Sequence, residues 1–156
     1  MKVNKIRSFR GESVTQEQII AAIIKLKMYK QKHEVIAMKK SQLALLDSAR
    51  IKTSSLSDDI GGSRKDIHER YSDILERKER LRLEVIDLEL EVTTIDTALK
   101  LMFDDFEAES QVITARHVDH KSLKAISREL GFSEATVKRK LKKGEKEFAR
   151  LLEMAA

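Results

Sequence analysis

Several groups in this 156-residue sequence have side chains of a type and spacing that could do chemistry. His117-Val-Asp-His120 sets two imidazoles on one helical face with a carboxylate between them, the start of a metal site. There is no cysteine, and His33 and His68 are distant in sequence, so the remaining ligands are missing. A helix end, where His117 and His120 meet free backbone carbonyls, accounts for the pair more simply. Asp58-Asp59 and Asp104-Asp105 are carboxylate pairs of the kind used for magnesium or acid–base work. Adjacent residues on a helix do not face the same way, so loop solvation and helix capping explain them better. Gly61-Gly62 lacks the spacing and lysine of a phosphate cradle, and no serine has a local triad context. The expectation is no enzyme, no metal and no cofactor. What remains is cationic: Lys138, Arg139, Lys140, Lys142 and Lys143 crowd one short stretch, and the chemistry open to them is neutralising phosphate.

The residues around that stretch say what positions it. Leu123, Ile126 and Leu130 share one face of a first helix, and Val137 and Leu141 share one face of a second. Gly131 stands between them, where a tight turn needs a residue at positive φ, and Phe132 plugs the crossing. Ser133 is placed to cap the second helix by accepting from the backbone N–H of Thr136, and Glu134 suits the positive end of the helix dipole. Lys138, Arg139, Lys142 and Lys143 then point outward, with Lys140 near the edge of that face.

The string Ile-Ser-x-x-Leu-Gly-x-Ser-x-x-Thr-Val-Lys-x-x-Leu, residues 126–141, resembles the helix-turn-helix of the promoter-binding region 4 of bacterial sigma factors and of related response-regulator output domains. Val112–Leu123 is similar to the helix and short loop that precede that motif, so the resemblance covers about residues 107–153. Ser127 departs from the alanine common there; its hydroxyl can bond back to a carbonyl one turn earlier. The resemblance implies double-stranded DNA as ligand. In such a motif the second helix enters the major groove with its N-terminal half against base edges. Glu134, Ala135, Thr136, Lys138 and Arg139 are therefore the residues expected at the bases, with the capping Ser133 also in the DNA-binding set. Arg139 leads, because a guanidinium can bond guanine O6 and N7 together. Lys121, Lys124, Arg128, Lys140, Lys142 and Lys143 are expected on phosphates. RNA polymerase is a further expected partner.

Absent proline, cysteine and tryptophan and scarce aromatics remove the usual marks of sandwiches, barrels and disulfide scaffolds, leaving an all-α fold. No run approaches the ~20 apolar residues of a membrane span, and the basic N-terminus lacks the apolar core of a secretion signal, so a cytoplasmic protein is expected. The net charge of +5 hides a partition. Residues 1–52 carry 12 Lys/Arg against 4 Asp/Glu, residues 53–110 carry 8 against 16, and residues 111–156 carry 11 against 6. The basic N-terminal third can thus pair with the acidic middle and need not touch DNA.

From Ile67 the apolar residues step by four and three through Tyr71, Ile74, Leu81, Val85, Leu88, Val92, Ile95, Leu99, Met102 and Phe106, with Lys78 the single polar insertion. A repeat of 3.5 sustained this long is a coiled-coil seam. Such a rod is expected to exceed what the small C-terminal domain can cover. Lys78 either carries its head to the coil surface or fixes register. Thr15-Gln-Glu-Gln18 fits a capping box opening a helical stretch to about Lys52, and the polar run 53–63 reads as a loop. The expected organisation is a basic N-terminal arm over 1–14, in which Lys2, Lys5, Arg7 and Arg10 either touch phosphate or fray. An antiparallel coiled-coil hairpin follows over 15–106, and a helix-turn-helix domain over 107–156. The hairpin is expected to join copies of the chain into a homo-oligomer, a dimer, the alternative being a seam filled internally by residues 15–52 and a chain that binds as a monomer. The arrangement resembles small phage-encoded sigma-like regulators of late genes. A phage DNA-packaging recognition subunit and a polymerase-interaction protein that binds no DNA are the two rivals.

Overall fold

The computed structural model describes residues 14–56 and 64–156, with side chains over 14–48 and 66–156. The arm residues 1–13, the paired Asp58-Asp59 and Gly61-Gly62 lie outside the described residues. Among the described residues the fold is all-α: α1 Gln16–Lys27, α2 Tyr29–Leu56, α3 Arg64–Asp105, α4 Glu107–Ile113, a π-helical turn Thr114–Val118, α5 Leu123–Leu130 and α6 Glu134–Ala155. No helix among them is long and apolar enough to cross a membrane.

The start of α1 follows from its sequence. The Gln18 amide donates to Thr15 Oγ1 at 3.2 Å and the Thr15 amide donates to Gln18 Oε1 at 3.0 Å, so the capping box is complete. The helical stretch expected to run unbroken to Lys52 is interrupted at Met28, and α2 then continues to Leu56, so residues 53–56 are helical and not part of a loop.

The chain divides into two compact units, residues 31–92 and residues 1–30 with 93–156. In the first, α2 and α3 run antiparallel, which their ion pairs establish. Lys32 meets Glu91 at 2.5 Å, Lys39 meets Glu84 at 2.6 Å, Lys40 meets Glu89 at 2.8 Å, and Asp47 meets Lys78. From Lys32 opposite Glu91 at one end to Asp47 opposite Lys78 at the other, the α3 number falls overall as the α2 number rises. The basic arm thus neutralises the acidic one, and Ile36, Val85 and Val92 are buried between them. Lys78 does not take its head to solvent: it is 4% exposed and its ammonium is held by the Asp47 carboxylate from the other arm. Burying an unpaired ammonium would be costly, so the seam position carries its counter-charge with it.

The second unit has two clusters. Ala22 and Leu26 of α1, Ile95, Ala98 and Met102 of α3, Ile113, Val118, and Phe148, Ala149, Leu151 and Leu152 of α6 form one. Val112, Ala115, Ile126 and Val137, flanked by Leu123, Leu130, Phe132 and Leu141, form the other. Residues 16–27, expected in the hairpin, therefore pack instead with the C-terminal helices. The last turns of the seam, Ile95 and Met102, are covered there as well, while the rest of the long helix lies outside this cluster. The physical reason is the length of α6. It runs well beyond Lys143, and its second half presents a Phe148, Leu151 and Leu152 face that three short helices leave open. Gly144 permits the crossing, since a Cβ there would lie 2.6 Å from Ile113 Cγ2 and 3.0 Å from the Glu109 carbonyl oxygen.

Candidate nucleic-acid interface

The local geometry of α5 and α6 is set by caps. Ser122 accepts from the Ala125 amide at 3.1 Å to open α5, and Gly131 closes it at φ 73°. Ser133 accepts from the Thr136 amide at 3.2 Å to open α6. Ile126 and Val137 are fully buried between the helices, with Phe132 half-buried at the turn. The Ser127 hydroxyl does not bond back one turn, as expected, but donates forward to the Phe132 carbonyl, tying α5 to the turn. Ser122 was not anticipated as a cap, although a serine directly before Leu123 is a readable signal for one.

Upstream, the π-helical turn and the following loop are fixed by the Asp119 amide donating to the Thr114 carbonyl at 3.0 Å and the Lys121 amide to the Ala115 carbonyl at 3.0 Å. The Arg116 guanidinium donates to the Lys121 carbonyl at 3.0 Å. His120 takes a left-handed conformation at φ 54° and is exposed. His117 instead points inward, 6% exposed, with Nε2 2.8 Å from Glu145 Oε1 on α6. Its partner is that carboxylate, not a free carbonyl at a helix end, and the two histidines do not share a ligand position. Among the described residues no group of three acidic, histidine or cysteine side chains is placed to hold a metal ion.

The expected contact residues separate into two sets. Ala135, Lys138, Arg139 and Lys142 are exposed on the side of α6 opposite Val137, and Lys146, which the sequence analysis did not single out, extends the same strip by one turn. Ser133 and Glu134 are exposed at the helix start, with Thr136 half-buried. The Thr136 hydroxyl sits 2.8 Å from Ser133 Oγ and accepts from Arg139 Nη2 at 3.4 Å, so Arg139 lies along the first turn. Lys124 and Arg128 are exposed on α5 and, like Lys138 and Lys142, form no ion pair among the described residues.

The other lysines are already engaged. Lys140 and Lys143 stand 3.8 and 3.9 Å from Glu109 Oε1, and their ammonium groups lie over the rings of Phe132 and Phe106 at 5.1 Å each. Lys121 donates to both oxygens of Glu129, at 3.0 and 2.8 Å, and this bond raises its pKa above the ordinary lysine value. Phosphate would have to compete with a carboxylate at all three.

A capped two-helix crossing with a glycine turn, preceded by α4 and the π-helical turn, is a helix-turn-helix arrangement. Residues 107–148 match the sigma-70 region 4 family. No curated protein and no solved structure matches the chain. The region 4 segment begins at the first residue of α4 and ends at the buried Phe148. Region 4 is a helix-turn-helix family of DNA-binding, regulator type, and it is not a catalytic domain.

Proposed function

We propose that this protein is a sequence-specific double-stranded DNA-binding transcriptional regulator of phage or mobile-element type that reads the major groove with the first turns of α6. The observation that carries the reading is the region 4 match laid over a helix whose inner side is fully engaged in packing. Its outer side offers Ala135, Lys138, Arg139 and Lys142. Arg139 and Lys138 serve the bases, with Glu134, Ala135, Thr136 and Ser133 beside them at the helix N-terminus. Lys124, Arg128 and Lys142, which form no ion pair among the described residues, hold phosphates and set register. Lys121, Lys140 and Lys143 contribute less, because each gives up a carboxylate contact to reach DNA. RNA polymerase is the second macromolecule proposed, and copies of the chain associate through the α2–α3 hairpin. One region 4 unit reads only a few base pairs, so association multiplies the length of site read.

The test is genome-wide footprinting of DNA bound by the full chain, followed by gel shift on the recovered sites. Recovery of a shared sequence that shifts in preference to random duplex supports the reading. Capture of polymerase without any DNA shift assigns the chain to the interaction-protein class instead.

A further inference from the structure

Glu109, near the start of α4, sets two of the α6 lysines apart from the others. Its side chain is 12% exposed, and the ammonium groups of Lys140 and Lys143 stand 3.8 and 3.9 Å from the same oxygen, Oε1. A carboxylate so far out of water needs a positive charge beside it. One lysine would supply that charge, and there are two. Gly144 brings them there. It lets α6 pass so close to the Glu109 backbone that a Cβ on the glycine would lie 3.0 Å from the carbonyl oxygen. Lys143 is the residue before that glycine, and Lys140 is one turn back.

The two lysines are not equivalent. At 100° per residue, Lys143 is turned about 40° from Arg139 around the α6 axis, at the edge of the exposed strip. Lys140 is turned about 100° from Arg139, towards the packed side. Their exposures agree, at 58% for the Lys143 side chain and 26% for that of Lys140. The Lys140 ammonium also lies over the Phe132 ring at the turn. Lys143 can therefore swing to a phosphate beside the strip while Lys140 stays and keeps the sheltered carboxylate neutralised.

We infer that Glu109 is an internal competitor of DNA phosphate for Lys143, an acid that holds down the sequence-independent share of the protein's affinity. This rests on the proposed DNA binding by α6 and adds a residue that acts against it. The contact withheld is with phosphate, which carries no base information, so Glu109 weakens the specific site and random duplex by the same factor. A phosphate contact adds ~0.9 to the slope of log affinity against log salt, which is about eightfold between 1 M and 0.1 M salt. Glu109 withholds much of one such contact, and the sequence preference set at Arg139 is left as it is.

The test is fluorescence anisotropy of the full chain on the footprinted site and on random duplex over a salt series. Glu109→Gln keeps the shape of the side chain and removes its charge. It is expected to bind both duplexes more tightly by one common factor, with a slope steeper by ~0.5–1. Adding Lys143→Ala should abolish the gain, so that the double variant has the slope of Lys143→Ala alone. Glu109→Gln with Lys140→Gln leaves the net charge unchanged and no lysine stranded over the former acid; it is expected to keep the gain. Thermal unfolding of each variant records that the fold is retained. No gain in either Glu109 variant overturns the inference, as does a gain on one duplex only or one that survives Lys143→Ala. A wild type that binds neither duplex overturns the DNA reading itself, and is told apart from those outcomes before any variant is made.

Discussion

Gly144 of α6 lies against Ile113 at the end of α4, so close that a Cβ on the glycine would come 2.6 Å from the isoleucine Cγ2. The contact lets the second half of α6 sit directly on the helix that opens the region 4 segment. It turns a residue of poor helix propensity into a requirement. On an exposed helix Gly→Ala gains up to ~1 kcal/mol. Here Gly144→Ala is expected to lose about 1–3 kcal/mol through overpacking, because the Glu109 backbone at 3.0 Å is also in the way. Urea denaturation measures it, and a more stable variant would show that the crossing is looser than described.

The pairing of Lys78 with Asp47 makes the two partners unequal. Lys78 is buried and Asp47 is exposed, so Asp47→Ala leaves a buried ammonium without its counter-charge while Lys78→Ala leaves only an exposed carboxylate. Replacing the lysine with an apolar side chain of similar length should be neutral or stabilising. Asp47→Ala is expected to cost about 1–3 kcal/mol, less than for a fully buried pair because water screens the carboxylate. Thermal unfolding of Lys78→Met beside Asp47→Ala gives the order; the reverse order would mean the lysine stem, not its charge, matters most.

Much of this was legible in the sequence, and the limits have physical causes. The α5–α6 crossing was readable because its signals are local: a glycine at positive φ, a serine cap and apolar residues three and four apart. The apolar spacing from Ile67 also names Lys78, Val85, Val92, Ile95 and Met102, which are buried on α3, but it misses Ala98, which is fully buried. What the repeat could not say is which element covers each part of it. Ile95 and Met102 continue the same spacing as Val85 and Val92, yet α1 and α6 cover the former and α2 the latter. Long-range packing of that kind leaves no trace in periodicity. The same is true of the cationic face. Lys140 and Lys143 look like Lys142 in sequence, and only the folded position of Glu109 sets them apart.

The phenol of Tyr29 donates to Asp96, and burial first, then that carboxylate, pushes its pKa up to about 12. The folded state therefore keeps the proton over a range where the unfolded chain, titrating near 10, has released it. Stability from this bond is fully present below pH 10 and is lost as pH rises from about 10 towards 12. Tyr29→Phe should show a shallower alkaline decline in melting temperature than the wild type. Identical slopes for the two proteins would remove the bond from the account.

On DNA, Lys142 and Lys143 should behave differently although they are neighbours. Lys142→Ala is expected to weaken binding to all sequences alike and to lower the salt slope by about 1, the signature of one lost phosphate contact. Lys143→Ala should change the slope less, because Glu109 and the Phe106 ring already hold that ammonium. Fluorescence anisotropy over a salt series resolves the two, and equal slopes would return Lys143 to the phosphate set.

The central claim is that the first turns of α6 read base sequence, and the most direct measurement compares wild type and Arg139→Ala on the footprinted site and on random duplex at one salt concentration. The account predicts a loss of ~1–3 kcal/mol on the site, confined to one base pair, with little change on random DNA. Equal losses on both duplexes, or a wild type that does not distinguish them, would contradict it.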